Sequence, residues 1–435
     1  MTITKKNNAN LNQVFNDFII VFPLFLMLNT YFFINLLNLL LLILFILKVK
    51  KDDFKISFFE KYIFIFLLGL VISFILSPYS VNKGVSEILD IIQWIFYPLI
   101  LGQFIISDKT KRYLFYSLIL GVIVYFIRFY LEKKGLILPY RAYSYNRYSG
   151  SYMLSQVSLI LGVVFIFLYT IFFYNKLYKK ESFLILFLII LIATMLLMTK
   201  TRAIYLAILI IIPLIVLIRN LEKFFIIVQL GSIIIIILIF SFPNNKYIKR
   251  LSSLTDPTAS NSIMGRVEVW GESIRIFKDY PINGIGYMNF KKAQRDRKYK
   301  AYFNTFNESV RIFKKTPLNY SEYLNFKKIY IKKRAYQYNQ YYAHPHSMIF
   351  KLLCETGIIG LFGYLLLNLK LLFRSIKKGK KDINYLLIFG ILMVLLLYEL
   401  TEVLIWRNFA YSLIYFAFGV LLNSEYVRIS LKKKA

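Results

Sequence analysis

His344 and His346 are the only histidines in the 435-residue chain, one proline apart in Tyr341-Tyr-Ala-His-Pro-His-Ser-Met-Ile-Phe350. That stretch is where a long basic, aromatic-rich segment returns to apolar sequence. Imidazole has the side-chain pKa best suited to moving a proton near neutral pH. Two of them at the lip of an apolar helix therefore read as a proton-handling site. The plainer reading is a helix cap or a solvated pair at an interface.

Two arginines fit the same chemistry. Arg202 stands between two apolar runs in Met198-Thr-Lys-Thr-Arg-Ala-Ile-Tyr205. Arg266 opens a helical segment, four residues before Trp270 and so on the same face. A guanidinium fork matches phosphate oxygens through two parallel charge-assisted bonds. Two such forks and one imidazole suit a reaction in which a diphosphate leaves and a hydroxyl attacks. The arginines would stabilise the departing charge, and the histidine would take the hydroxyl proton. Individually, each arginine also has an ordinary reading: a snorkelling anchor for Arg202, a solvated helix face for Arg266.

The surrounding elements must cross a membrane. The chain is 58% hydrophobic, and its apolar runs are near twenty residues long. A helix rising ~1.5 Å per residue needs about that length to span ~30 Å of hydrocarbon. Spans are expected near 14–29, 31–47, 60–77, 86–106, 113–131, 153–174, 182–198, 203–218, 224–242, 347–372, 383–404 and 408–423. The expectation is thus an all-α polytopic membrane protein of about 12 transmembrane helices with one large loop. Residues 1–242 carry spans one to nine, 243–346 the loop, and 347–435 spans ten to twelve with a tail. The first apolar stretch is too long for a signal-peptide core, and no small-residue cleavage site follows it.

The net charge of +33 invites nucleic acid as a partner, but its distribution does not. Lysines cluster at the termini and at 48–59, 107–112, 175–181, 219–223 and 374–381, where positive charge fixes orientation. Termini are then cytoplasmic, and Arg202 and the 243–346 loop share the outer face. This ordering makes no use of the histidines. Cys354 is the single cysteine, so neither a disulfide framework nor a cysteine–histidine metal cluster is expected. The stretch 291–343, alternating Lys or Arg with Tyr and Phe, suits sugar rings and lipid phosphates on an outer face better than nucleic acid.

In the loop, Ser262 reads as an N-cap and Val267, Trp270 and Ile274 as one helical stripe, closed by Pro281 and Gly284-Ile-Gly286. Glu355 is expected to be buried in span ten, paired with a cation or a backbone donor and structural first. Gly357, Gly360 and Gly363 read as a close helix-packing face. Glu87 and Asp90 in span four read as proton-coupling acids or, more simply, as partners for an outer-face arginine.

An ordered set of these motifs resembles the O-antigen ligase and O-antigen polymerase superfamily. It comprises Thr201-Arg202-Ala, Gly265-Arg266 with Trp270, the Pro281…Gly284-x-Gly286 turn, and His346-Ser-x-x-x-x-x-x-x-Glu355-x-Gly357-x-x-Gly360. Arg147-Tyr-Ser-Gly150 resembles a further feature ahead of the ligase-like region at about 199–363. The resemblance implies a GT-C-like glycosyltransferase that moves a glycan from undecaprenyl diphosphate at the periplasmic face of the bacterial inner membrane. The acceptor would be the lipid A–core for a ligase or a lipid-linked repeat unit for a polymerase, without metal or cofactor and with inversion. Arg202, Arg266 and His346 fall on the family's catalytic positions. Arg147, Trp270, Arg275 and His344 are the expected substrate contacts, and Glu355, Gly357 and Gly360 the structural residues. The departure is Ser347, where many relatives have asparagine after the histidine; His344 stays open as an alternative base. A lipid-linked sugar transporter or flippase is the competing class. Such proteins usually show repeated halves and midplane polar groups, whereas the conspicuous residues here gather at the outer rim.

Overall fold

The computed structural model describes residues 2–24, 31–49, 58–79, 84–133, 136, 154–174, 179–199, 201–219, 261–297, 344–402 and 409–432. Every regular element among them is helical. In chain order these are α1 (Thr2–Ile19), α2 (Tyr31–Val49), α3 (Phe58–Ile75), α4 (Gly84–Gln103), α5 (Asp108–Lys133) and α6 (Leu154–Tyr174). They are followed by α7 (Lys179–Thr199), α8 (Arg202–Arg219), α9 (Asn261–Asp279), α10 (Met348–Gly379), α11 (Ile383–Glu399) and α12 (Phe409–Lys432). The expected ninth span, Arg147, and most of the 243–346 loop lie outside the described residues.

Among the described residues, five helices are long and apolar enough to cross a membrane: Asp108–Arg128, Val157–Tyr174, Lys179–Thr199, Arg202–Arg219 and Met348–Gly379. Their faces show which solvent they meet. Helix α7 buries Ile185, Leu188, Ile192 and Met195 while exposing Phe183, Phe187, Ile190 and Leu197. A helix that is apolar on its outward face as well as its inward one is soluble in hydrocarbon rather than water. The chain is therefore a helical membrane protein.

The chain divides into two compact units. The first comprises 1–67, 89–249 and 363–435. Its centre is α6 against α11, with α7, α8 and α12 around them. Small residues allow that approach: the α-carbons of Gly162 and Gly390 face Ile204 and Ile166, and a methyl group on either would clash. Several polar groups inside this bundle are matched to partners, as hydrocarbon favours. Ser158 and Tyr398 share a hydrogen bond at 2.9 Å, and Tyr364 and Tyr411 both donate to the buried Glu399 carboxylate. Asn423 donates to the carbonyls of Leu101 (2.6 Å) and Phe104 (2.9 Å), in and just after the last turn of α4.

The second unit comprises 68–88 and 250–362. Its core is Val269, Ile276, Ile285, Phe290, Ala293 and Cys354. The buried face of α9 is thus Val269, Ser273 and Ile276, not the expected stripe. Val267 and Ile274 are 53% and 40% exposed. The reason is the chain that follows: residues 285–293 fold back along the Val269–Ile276 side and cover it.

Candidate active site

The second unit is built around a helix that has been opened. Gly357, inside α10, has φ +63° and ψ −162°, which breaks the helical ladder there. An unbroken helix would pair the Ile358 and Ile359 amides with the carbonyls of Cys354 and Glu355. Instead, Ile358 donates to Pro281 (2.9 Å) and Ile359 to Ile282 (3.4 Å). The two released carbonyls accept from Ile285 (3.1 Å) and Gly286 (2.8 Å). The turn after α9 has been inserted into the ladder of α10, so these two amides and two carbonyls keep partners at the break.

This exchange explains the glycines. Gly284 and Gly286 have φ of +66° and +85°, a region L side chains rarely adopt. A β-carbon on Gly284 would strike the Glu355 backbone, and one on Gly357 the Ile282 carbonyl. Gly360 does face a helix neighbour, since a β-carbon on Gly69 of α3 would lie 3.0 Å from the Gly360 α-carbon. Gly357 therefore supplies a backbone conformation, while Gly360 supplies close approach.

Glu355 fastens the insertion. Its carboxylate accepts from the amides of Met288 (2.9 Å) and Phe290 (3.3 Å). It also pairs with Lys351 Nζ at 2.9 Å, one turn earlier on the same helix; both side chains are 1% exposed. Lys351 Nζ lies 4.5 Å from the Tyr287 ring centre, and Ser73 Oγ donates to the Glu355 carbonyl at 2.9 Å. The expected cation and backbone donor are both present. Buried this deeply, a carboxylate and an ammonium need each other and those hydrogen bonds.

The histidines stand just before α10. His346 has φ +54°, in the left-handed region, and its amide donates to Nδ1 of His344 at 3.3 Å. The two ring centres are 4.3 Å apart. Burial, and then the charges of His346 and Lys351, push the His344 imidazole down to about 3 from its ordinary 6.5. His344 is thus neutral at pH 7, with Nδ1 the acceptor and the proton on Nε2. Four residues after His346, Phe350 stacks on Trp270 with ring centres 5.1 Å apart. Such a pair adds ~0.5–1.5 kcal/mol beyond the area it buries. It ties α9 to the first turn of α10, with Arg266 one helical turn before Trp270. The buried Trp270 Nε1 has no hydrogen-bond partner among the described residues.

The remaining expected site residues are placed as follows. Arg275 is largely exposed and binds Glu272 at 3.0 Å; Arg297 also binds Glu272, at 3.2 Å, and Asp279. Arg202 belongs to the first unit, where it opens α8. Its turn is held by Tyr205, whose hydroxyl donates to the last carbonyls of α7, at Leu196 (2.8 Å) and Leu197 (3.1 Å). Among the described residues, no group of three or more His, Cys, Asp or Glu could hold a metal ion. Sequence reasoning missed Lys351, whose only signal was its position four residues before Glu355 in an apolar helix.

A helical membrane protein with a half-buried, hydrogen-bonded histidine pair at a helix start is the class these observations define. Residues 185–365 match the family model described as O-Antigen ligase. That segment contains Arg202, Arg266, both histidines, the inserted turn and the opened helix, and the match supports the O-antigen ligase and polymerase superfamily. Glycosyltransferase-type activity on lipid-linked glycans goes with that family. No curated protein matches the chain.

Proposed function

We propose that the protein is an O-antigen ligase, transferring a glycan from undecaprenyl diphosphate to the lipid A–core at the periplasmic face of the inner membrane. The observation that carries this reading is the His346 geometry within the family-matched segment. His346 takes the proton of the acceptor hydroxyl as its oxygen attacks the anomeric carbon. The bond from that carbon to the diphosphate oxygen breaks from the opposite side, so the configuration inverts. Undecaprenyl diphosphate leaves with the bonding pair, and Arg202 and Arg266 stabilise its charge. His344 orients His346 through its backbone and offers Nε2–H to the substrate, with Trp270 and Arg147 as sugar or phosphate contacts. Twelve spans in a GT-C-like arrangement, with both termini cytoplasmic, complete the proposal.

Lipopolysaccharide from a deletion strain tests it. Lipid-linked polymer accumulating beside a bare core supports the ligase. A core bearing one repeat unit replaces it with the polymerase, which uses the same chemistry. Accumulation of the donor on the cytoplasmic side would favour a flippase instead.

A further inference from the structure

The first unit contains a cleft of about 660 Å³ among α5, α6, α11 and α12, within the ~300–1,000 Å³ range of sites that enclose a small ligand. Its walls are apolar, including Val163, Phe167, Leu387, Ile391, Phe416 and Ala417. The charged residues of the lining all come from helix starts: Lys111 and Arg112 open α5, and Glu181 is in the first turn of α7. Asn384, in the first turn of α11, lines the cleft as well. An apolar slot with charge confined to helix starts fits an amphiphile, and in a membrane the abundant amphiphile is a lipid.

The balance of charge at those helix starts is positive. Lys111 and Arg112 stand against one carboxylate, Glu181. That carboxylate is already engaged: it accepts from the Tyr116 hydroxyl at 3.4 Å, one turn beyond Arg112, and interacts further. Lys111 meets Asp108 at 3.2 Å, but the Asp108 side chain is 99% exposed, so water screens that pair. Lys179 and Lys180, both exposed, directly precede Glu181, and the three helix N-termini add partial positive charge. A basic pocket between membrane helices suits an anionic headgroup, whereas a zwitterionic one sets its ammonium against like charge. The lysine clusters at 107–112 and 175–181 are also among those expected to face the cytoplasm, the side whose anionic lipids attract basic segments.

We propose that this cleft binds one anionic glycerophospholipid of the phosphatidylglycerol class, its phosphate at Lys111 and Arg112, its glycerol hydroxyls at Asn384 and an acyl chain along the α6, α11 and α12 walls. Binding needs neither glycan donor nor acceptor, so the site does not depend on the proposed transfer.

The test is native mass spectrometry of the full-length protein released from nanodiscs containing equal phosphatidylglycerol and phosphatidylethanolamine. The wild type is expected to retain one phosphatidylglycerol, favoured by about tenfold, the order expected when two basic side chains meet an anionic headgroup. Changing both cations, Lys111→Gln with Arg112→Gln, should erase the preference while one lipid of either kind is still retained. Glu181→Gln should hold or raise it, and Ala417→Trp, which fills the apolar slot, should abolish retention of both lipids. Equal retention by the wild type, or a preference for phosphatidylethanolamine, would overturn the assignment. So would an unchanged preference in the double glutamine variant, or undiminished retention in an Ala417→Trp protein that unfolds at the wild-type temperature.

Discussion

The amide of His346 donates to Nδ1 of His344 across 3.3 Å, and this one bond spans the proline between them. It stabilises a left-handed residue that a non-glycine side chain would otherwise leave, since that conformation costs ~1–2 kcal/mol. With Nδ1 occupied by this contact, His344 is a poor candidate for the base and a good one for its positioning. His344→Ala should therefore lower kcat for glycan transfer roughly tenfold to a hundredfold, as lost orientation does. His344→Asn, which keeps a side-chain acceptor, should recover part of it. Steady-state transfer with purified donor and acceptor reads the outcome; an unchanged kcat in His344→Ala would remove the positioning role.

The same histidine sets a pH dependence. Its imidazole is lowered from 6.5 to about 3, so between those values the unfolded segment binds a proton that the folded one does not. Stability therefore rises with pH across that window. The contribution is complete above pH 6.5 and is lost as pH falls toward 3. Hydrogen exchange in the peptide covering 344–350 should quicken on acidification beyond the intrinsic chemical trend, and His344→Asn should flatten that change. A wild-type and variant pair with the same pH profile would contradict it.

Gly357 and Gly284 are the two sides of the turn insertion, and each should resist the smallest possible side chain. Gly357→Ala combines the ~1–3 kcal/mol of a positive-φ, extended-ψ conformation that is nearly glycine-only with a collision at the Ile282 carbonyl. The protein should be recovered at reduced level with a lowered melting temperature. Gly271→Ala, on α9 where a β-carbon meets nothing within 4 Å, is the matched control and should be neutral or slightly stabilising. Equal melting temperatures for Gly357→Ala and the wild type would mean that the opened ladder is absent in solution.

Much of this was legible in the chain, and the failures share a cause. Length and hydropathy gave the helical membrane class, because a bilayer leaves a spanning segment few options. The two glycine motifs were visible separately, and Glu355 was correctly expected to meet a cation and a backbone donor. Their joint role was not visible, because one motif fills hydrogen bonds that the other vacates some seventy residues later, and no local pattern encodes that pairing. The buried face of α9 was misread for the same reason. Trp270 suggested a stripe through Val267 and Ile274, but the segment 285–293 covers the Val269–Ile276 side instead. Local periodicity shows that a helix has faces, whereas the partner decides which one is buried.

Lys351 and Glu355 form a pair that should be costly to halve and cheaper to remove whole. Lys351→Met leaves a carboxylate buried without its cation, and Glu355→Gln leaves an ammonium without its anion; losses of about 3–5 kcal/mol accompany such changes. The double variant keeps an amide to accept from Met288 and Phe290 and leaves no net charge behind. It should unfold at a higher temperature than either single variant. Additive losses in this cycle would mean that the two groups do not interact in the folded protein.

Arg202 provides the sharpest test of the proposed chemistry, because its two roles respond differently to a conservative change. As an interfacial anchor, it needs only a long side chain with a charge at the tip, and lysine serves as well. As a ligand for a departing diphosphate, it needs two parallel donors in a plane, which an ammonium does not offer. Arg202→Lys should therefore reach the membrane at normal level while surface glycan falls at least tenfold. That is the size of the charge-assisted bond lost, ~1.5–3 kcal/mol. His346→Ala should abolish surface glycan at an equally normal protein level, and adding Arg202→Lys to it should lower nothing further. Full glycan in the lysine variant would return Arg202 to the role of an anchor and leave Arg266 alone to meet the diphosphate.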